Sequence, residues 1–314
     1  MGDLDLLSSR AIIGTYYQTL QQESGKSWIN ALGMLMNSDQ SSETYNFLGQ
    51  SPAMRQWVGG RNAKGFTANG ITIENQHFEA TIDILVRHLR RDKSGQVMAR
   101  IRDLAARTQS HWASLLSTLI TAGKSTECYD GQYFFDTDHS EGSSGTQDND
   151  ITTDISALPT ITHGSVTIPS VEEMQQAILK SIMQIQGFKD DQGEPLNENA
   201  SSFLVMVPPT LHFVAAKSMA LPASGDLNTQ GLAQGLSVSV ISNPRFTNTD
   251  SFHTFRTDGH LKPFILQQET EVQMKIKGAG SEYEFDNDAW QIGVDCWRNV
   301  GYGMWQGACL NTLV

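Results

Sequence analysis

Apolar side chains recur along this chain with two different periods. Behind Ser8 or Ser9, either of them a suitable N-cap, Ile12, Ile13, Tyr16, Tyr17 and Leu20 return at helical spacing and predict a short amphipathic helix. Such a helix needs a partner surface, and none is evident within the chain. The longest periodic segment runs from about Gln96 to Thr121. There Val97, Ile101, Leu104, Ala105, Trp112, Leu115, Leu116 and Leu119 fall at i, i+3, i+4 and i+7, predicting one helix of roughly 39 Å at 1.5 Å per residue. Asp103 is spaced to pair with Arg100 or Arg107 on the outer face, and Gly123 is placed to end the helix. Ser170-Val171-Glu172-Glu173 reads as a capping box opening a second amphipathic helix through Met174, Ile178, Leu179, Ile182 and Met183, stopped at Gly187. A third helix is predicted over residues 210–220, with Pro209 in its first turn.

The period of two is carried by shorter runs. Gly65 to Ile73 and Phe78 to Leu85 alternate, the second with Phe78, Ala80, Ile82 and Ile84 on one face, and a long hairpin of these two is the simplest expectation. Further strands are predicted at Ser201–Val207, Leu236–Ser242, Ser251–Thr257, Pro263–Gln267 and Glu271–Lys277, with one or two between Ala289 and Leu310. Residues 37–43, 137–165 and 221–235 carry no period and read as loops, the middle one as the best domain boundary; Asp190 to Gly193 supplies a turn. The result is an α+β chain without an internal repeat.

Composition narrows the function classes. Across 314 residues, 22 Lys and Arg stand against 34 Asp and Glu, a formal net charge of −12, which argues against gripping nucleic acid through phosphate neutralisation over most of the surface. The charge is uneven: residues 1–122 hold 12 basic and 10 acidic side chains, residues 123–314 hold 10 and 24. The two stretches are expected to face different surroundings. Cys128, Cys296 and Cys309 are too widely spaced for a disulfide framework or a paired zinc ligand set, so reduced, buried thiols are expected and no metal or other cofactor is implied. Met1-Gly2-Asp3-Leu4-Asp5 lacks the basic and apolar regions of a signal peptide, and no apolar run approaches the ~20 residues of a membrane span, so a soluble intracellular product is expected.

Candidate chemistry concentrates in Cys128-Tyr129-Asp130-Gly131-Gln132-Tyr133-Phe134-Phe135-Asp136, with Asp138 and His139 behind it. A thiol and an imidazole so close suggest a Cys128/His139 hydrolase, but such pairs usually come from different elements of a fold and no oxyanion-hole motif accompanies them. The favoured reading is a turn at Asp130-Gly131, aromatic residues in a core, and His139 and the aspartates fixing a loop by hydrogen bonds. Arg87, Arg90, Arg91, Lys93, Arg100, Arg102 and Arg107 form a basic group suited to phosphate, to an acidic neighbouring subunit, or equally to a solvated helix face. Trp290, Trp297 and Trp305, interleaved with Gly293, Gly301, Gly303 and Gly307, read as buried aromatics beside closely approaching strands in preference to a carbohydrate platform. No nucleotide-binding, zinc-protease, nucleophile-elbow or EF-hand motif occurs.

Three segments together resemble the major head subunit of Mu-like bacteriophages and prophages. They are Thr44-Tyr45-Asn46-Phe47-Leu48-Gly49 with Pro52 and Trp57-Val58-Gly59-Gly60-Arg61; Cys128 to Asp136 with His139; and Ala289-Trp290-Gln291 with Arg298, Gly301-Tyr302-Gly303 and Trp305-Gln306. The resemblance implies an HK97-like capsid fold. Residues 1–43 would be the N-terminal arm, 44–92 the E-loop hairpin and its supports, 93–167 the P-domain with its spine helix, 168–262 the A-domain, and 263–314 the strands returning to the P-domain.

It implies a non-enzymatic subunit that joins copies of itself into hexamers and pentamers of an icosahedral shell. That shell would enclose double-stranded DNA without sequence-specific binding, in the virion, after assembly in the host cytoplasm. Trp57, Arg61, Lys64, Phe66, Arg87, Arg90 and Arg91 are the candidate contacts between subunits. Further expected partners are a separate scaffold and protease, a portal, and a decoration protein as an optional outer layer; no membrane is involved. An encapsulin-like compartment is the alternative within the same fold. Lys64 has no motif that would identify an isopeptide partner, so a covalent mesh is unsupported.

Overall fold

The computed structural model describes residues 9–24, 28–46, 70–91, 95–220 and 235–314. In chain order the first half forms α1 (Ser9–Ser24), α2 (Ile29–Leu32), β1 (Gly33–Asn37), β2 (Ser42–Tyr45), β3 (Ile71–Glu74), β4 (Gln76–Leu85), α3 (Val86–Arg91), α4 (Gln96–Thr121) and β5 (Asp150–Thr153). The second half forms α5 (Val171–Gln186), β6 (Ser202–Val207), α6 (Pro209–Ala220), β7 (Ser237–Ser242), β8 (Ser251–Arg256), β9 (Phe264–Lys277), α7 (Glu282–Asn287), β10 (Ala289–Tyr302) and β11 (Ala308–Leu313). They build a four-stranded sheet in the order β1-β9-β10-β4, a five-stranded sheet in the order β5-β11-β8-β6-β7, and a separate two-stranded ribbon, β2-β3.

Helix α4 occupies the predicted span, and its apolar stripe serves two cores in succession. Val97, Ile101, Leu104 and Ala105 join α1, β4 and the first half of β10 in one cluster. Trp112, Leu116 and Ile120 join a larger cluster around α5, β6, β8 and β11. A stripe this long buries surface along its whole length, so one rigid helix spans both cores. Strand β9 changes in step: Phe264 to Gln267 are buried on both faces, and the remainder alternates as one face opens to solvent. Tyr302 Oη donates to the Leu119 carbonyl at 2.8 Å and ties the end of β10 to the helix.

Several sequence expectations need correction. Helix α1 has an intramolecular partner after all: it lies along α4, with Ile12 and Tyr16 fully buried and the Tyr17 hydroxyl donating to the Val272 carbonyl of β9 at 3.3 Å. The expected long hairpin does not form among the described residues, and residues 65–69 of its first strand lie outside them. Strand β3 pairs with β2, and β4 leaves after Asn75 to run antiparallel to β10 over ten residue pairs. The alternating residues do share a face, on which Ile84 is buried and Ile82 half-buried against α4, but alternation carries no information about the pairing strand.

Gly123 follows α4 in a 3-10 turn and has no positive φ. A β-carbon there would stand 2.5 Å from Phe135 Cδ2, so close packing and not helix termination explains the glycine. Residues 137–165 do not form a wholly exposed loop either, since they include β5, which pairs with β11, and they bury His139, Asn149 and Thr153. The two strands expected over 263–277 are one continuous strand, β9, whose pairing with β10 shifts register near Trp297.

Other expectations hold. Ser170 caps α5 in a capping box with Glu173, α6 starts at Pro209, and α6 carries the chain between the parallel strands β6 and β7. Gly193 closes the turn from Asp190 with φ 87°. Nearly all of the Gly-rich segment 221–235 lies outside the described residues.

Candidate assembly surfaces

The ribbon β2-β3 rests on a rigid base. Gln267 of β9, fully buried, accepts from the Tyr45 hydroxyl at 2.9 Å and donates to the Ile73 carbonyl and the Asn75 side chain. Asn299 of β10 donates to the Glu74 carbonyl at 2.7 Å. The two strands are therefore anchored to β9 and β10, and they bracket residues 46–70. Trp57, Arg61, Lys64 and Phe66 belong to that stretch and lie outside the described residues. The signal for this base was present in the sequence only as an amide at the end of an apolar strand.

Arg87, Arg90 and Arg91 are brought together on α3, whose Val86 and Leu89 anchor it to the core while all three guanidinium groups face solvent. His88 and Arg91 line a cleft of about 430 Å3 with Asp83, Gln96, Val97 and Arg100. Arg102 is exposed further along α4, and Arg107 pairs with Asp103 at 2.9 Å in the open, an ion pair that contributes little to stability. Lys93 lies outside the described residues. Beyond α3, the carboxylate of Glu284 accepts from the Trp290 indole at 2.9 Å and the Gly280 amide at 2.7 Å. These bonds, with the Arg90 charge behind them, hold it below the usual carboxylate range.

The thiol and imidazole singled out from sequence do not form a nucleophilic pair. Both lean on one carboxylate: Cys128 Sγ donates to Asp130 Oδ1 at 3.1 Å, and His139 Nδ1 meets Asp130 Oδ2 at 2.6 Å. Burial and then the Asp130 charge push the Cys128 thiol far up, the opposite of an activated thiolate. Burial would also raise Asp130, but the His139 contact outweighs it and the carboxyl sits below its ordinary value. His139 is fully buried and stacks on Trp305 at 4.0 Å. The group fixes the turn Asp130-Gly131, where Gly131 takes φ 87°. Among the described residues no cluster of three or more His, Cys, Asp or Glu is placed to hold a metal, and no helix is long and apolar enough to cross a membrane.

Of the three tryptophans, Trp290 and Trp305 are buried as expected, whereas Trp297 is 39% exposed and stacks on His77 at 4.6 Å. Large apolar side chains also stand open on the second half of the chain, among them Ile161 and Ile168 before α5, Met183 on α5 and Phe213 on α6.

The family model described as the Mu-like prophage major head subunit gpT matches residues 9–159 and 229–312. The stretch between, with α5 and β6, falls outside the match. The chain is 33% identical over 111 residues to the Mu-like prophage FluMu major head subunit of Haemophilus influenzae, covering 35% of this chain and 36% of that protein. It is 32% identical over 117 residues to the major capsid protein of Escherichia phage Mu, covering 37% of this chain and 38% of that protein. The aligned part thus spans a little over a third of each curated relative. Among solved structures, a chain from the procapsid of bacteriophage JBD30 superposes with a TM-score of 0.54 at 20% identity, over 96% of this chain and 74% of that one, which establishes the tailed-phage, HK97-like capsid fold. Since the family match takes in α1, the ribbon, the whole spine helix and the returning strands β9 to β11, this chain belongs to the Mu-like prophage major head subunit family, a family of structural shell proteins and not of enzymes.

Proposed function

We propose that this chain is the main building block of an icosahedral head, its copies joined in hexamers and pentamers around double-stranded DNA. The family match over both halves of the chain carries the reading. Physical features support it. Head-to-tail contacts around a ring join unlike patches, so each subunit must reserve complementary surfaces. The exposed arginines of α3 against a second half with 24 acidic and 10 basic side chains form one such pair, and the open Met183 and Phe213 offer apolar surface for neighbours to cover. Arg87, Arg90 and Arg91, with Trp57, Arg61, Lys64 and Phe66 of the bracketed segment, are the proposed contacts. Residues 1–43 are assigned to the arm, 44–92 to the E-loop and its supports, 93–167 to the P-domain, 168–262 to the A-domain and 263–314 to the returning strands.

A net charge of −12 suits a container whose wall must not hold phosphate tightly. Scaffold, protease, portal and an optional decoration protein are the proposed partners, and the host cytoplasm the place of assembly. Electron microscopy with light scattering on the chain alone, and then with its neighbouring open reading frames, tests the reading. Shells, tubes or rings of five and six are expected. A monomer of about 35 kDa in every salt and concentration would overturn it. Shells that carry cargo proteins and exclude DNA would favour the compartment alternative.

A further inference from the structure

Arg298 of β10 is 3% exposed and sits where the two cores meet. Its Nε donates to His111 Nδ1 at 3.1 Å, one terminal nitrogen donates to the Thr108 carbonyl at 3.0 Å, and its Cζ lies 4.6 Å from the Trp112 ring centroid. Thr108, His111 and Trp112 share one face of α4, so the guanidinium latches sheet to helix through a carbonyl, a neutral ring nitrogen and a π-face. None of these partners carries negative charge. Among the described residues the guanidinium thus has no carboxylate partner; a buried cation without an opposite charge is costly, and proteins ordinarily supply one.

Beside this guanidinium opens a cavity of about 190 Å3, walled by Phe78, Leu104, Val272, Val294 and Cys296. That is smaller than the ~300–1,000 Å3 of small-molecule sites and has room for one side chain. Glu79 and Asp295 border it, but they alternate with Phe78 and Cys296 along β4 and β10 and so belong to the other face of the sheet. There Asp295 Oδ2 accepts from Lys275 at 2.9 Å and lies 3.6 Å from His77, and Glu79 accepts from Thr81 at 2.7 Å. Asp103, on the outer face of α4, is held by Arg107. Burial draws the Arg298 pKa down, and the groups that oppose this are the Cys296 thiol and the Tyr16 hydroxyl, neither of them a carboxylate.

We infer that this cavity is a socket for an Asp or Glu side chain of a second copy of this chain, whose carboxylate completes the charge pair with Arg298 when subunits join. The inference rests on the shell reading above. Charge complementarity commits the occupant: the chain has 34 acidic against 22 basic side chains, so every neighbouring copy brings carboxylates in excess. An ordered pair of this kind couples assembly to the seam between the two cores, because the same guanidinium holds α4 to β10.

Two measurements test it. In a cryo-electron microscopy map of the wild-type shell, a carboxylate of a second copy is expected within ~4 Å of the Arg298 guanidinium; a closed shell with that cavity empty, or filled by a carboxylate of the same chain, overturns the inference and leaves the shell reading intact. Arg298→Lys places an amine at the socket floor. In shells assembled from mixed light and heavy isotope-labelled chains, a zero-length carbodiimide is expected to link position 298 to an acidic peptide in mixed-isotope pairs, and not to do so in unassembled subunits. Links within single-isotope pairs only, or none in shells formed at wild-type yield, count against it. If Arg298→Lys fails to fold, the wild-type map decides alone. A wild-type chain that never leaves the monomer overturns the shell reading and this inference together.

Discussion

Phe135 Cδ2 stands 2.5 Å from the point where a β-carbon on Gly123 would lie. Phe135 is buried and makes an edge contact with Phe134, with ring centroids 4.9 Å apart, and packs near His253, so it has no free space to yield. Gly123→Ala therefore overpacks the larger core where the spine helix hands over to the Cys128 turn. A loss of about 1–3 kcal/mol is expected in chemical denaturation of the subunit, and an unchanged midpoint would show that the Phe135 ring shifts freely.

Cys128→Ala separates a structural thiol from a catalytic one. The side chain gives one hydrogen bond to Asp130 in a buried site, so its removal is expected to cost about 1 kcal/mol and to leave assembly intact. Asp130→Asn should cost more, because His139 and the Gln132 amide depend on the same carboxylate. Loss of a hydrolytic turnover in Cys128→Ala at unchanged stability would revive the hydrolase reading.

Two histidines, the buried His253 and the half-buried His111, are expected to shape the response to acid. His253 packs among Phe135, Phe246 and Phe255, and burial, with the charge of Lys124 behind it, brings its pKa down to about 3. Burial and the nearby Arg298 and Arg245 bring His111 down to about 4. Both lie below the ordinary 6.5, so on acidification the unfolded chain takes up these protons first. The stability they contribute is whole above pH 6.5 and is lost as pH falls towards 4 and then 3. The melting temperature should drop across that window, and His253→Phe should flatten part of the drop. A parallel curve for the variant would place the acid response elsewhere, for example in carboxylates such as Asp258, held down to about 2 chiefly by Arg256 and the Ser201 hydrogen bonds against the opposing effect of burial.

The arginines of α3 are expected to act on the rate and salt response of assembly. Replacing Arg90 and Arg91 together by Gln leaves the buried Val86 and Leu89 untouched, so the fold should stand. Light scattering should show assembly slowed by roughly tenfold at low salt, with the difference shrinking as salt is added. Equal rates and equal salt slopes would remove these residues from the contact surface.

Features whose physics lies among near neighbours could be read directly along the chain. The span Gln96–Thr121 and the capping box of Ser170 and Glu173 were legible because helical periodicity and capping involve residues three or four apart. The resemblance carried by residues 44–61, 128–139 and 289–306 pointed to the fold, and the family match agrees with it. The folded chain alone shows which strand β4 pairs with, why position 123 is glycine, and where α1 finds its partner, because each depends on groups far apart in the sequence. Of the proposed contacts it brings Arg87, Arg90 and Arg91 together on one short helix that periodicity did not reveal. It also places Arg298 against Thr108, His111 and Trp112, nearly two hundred residues earlier, and leaves that charge without a described carboxylate. Charge compensation is a property of three-dimensional neighbours, which a linear pattern of polar and apolar positions does not contain.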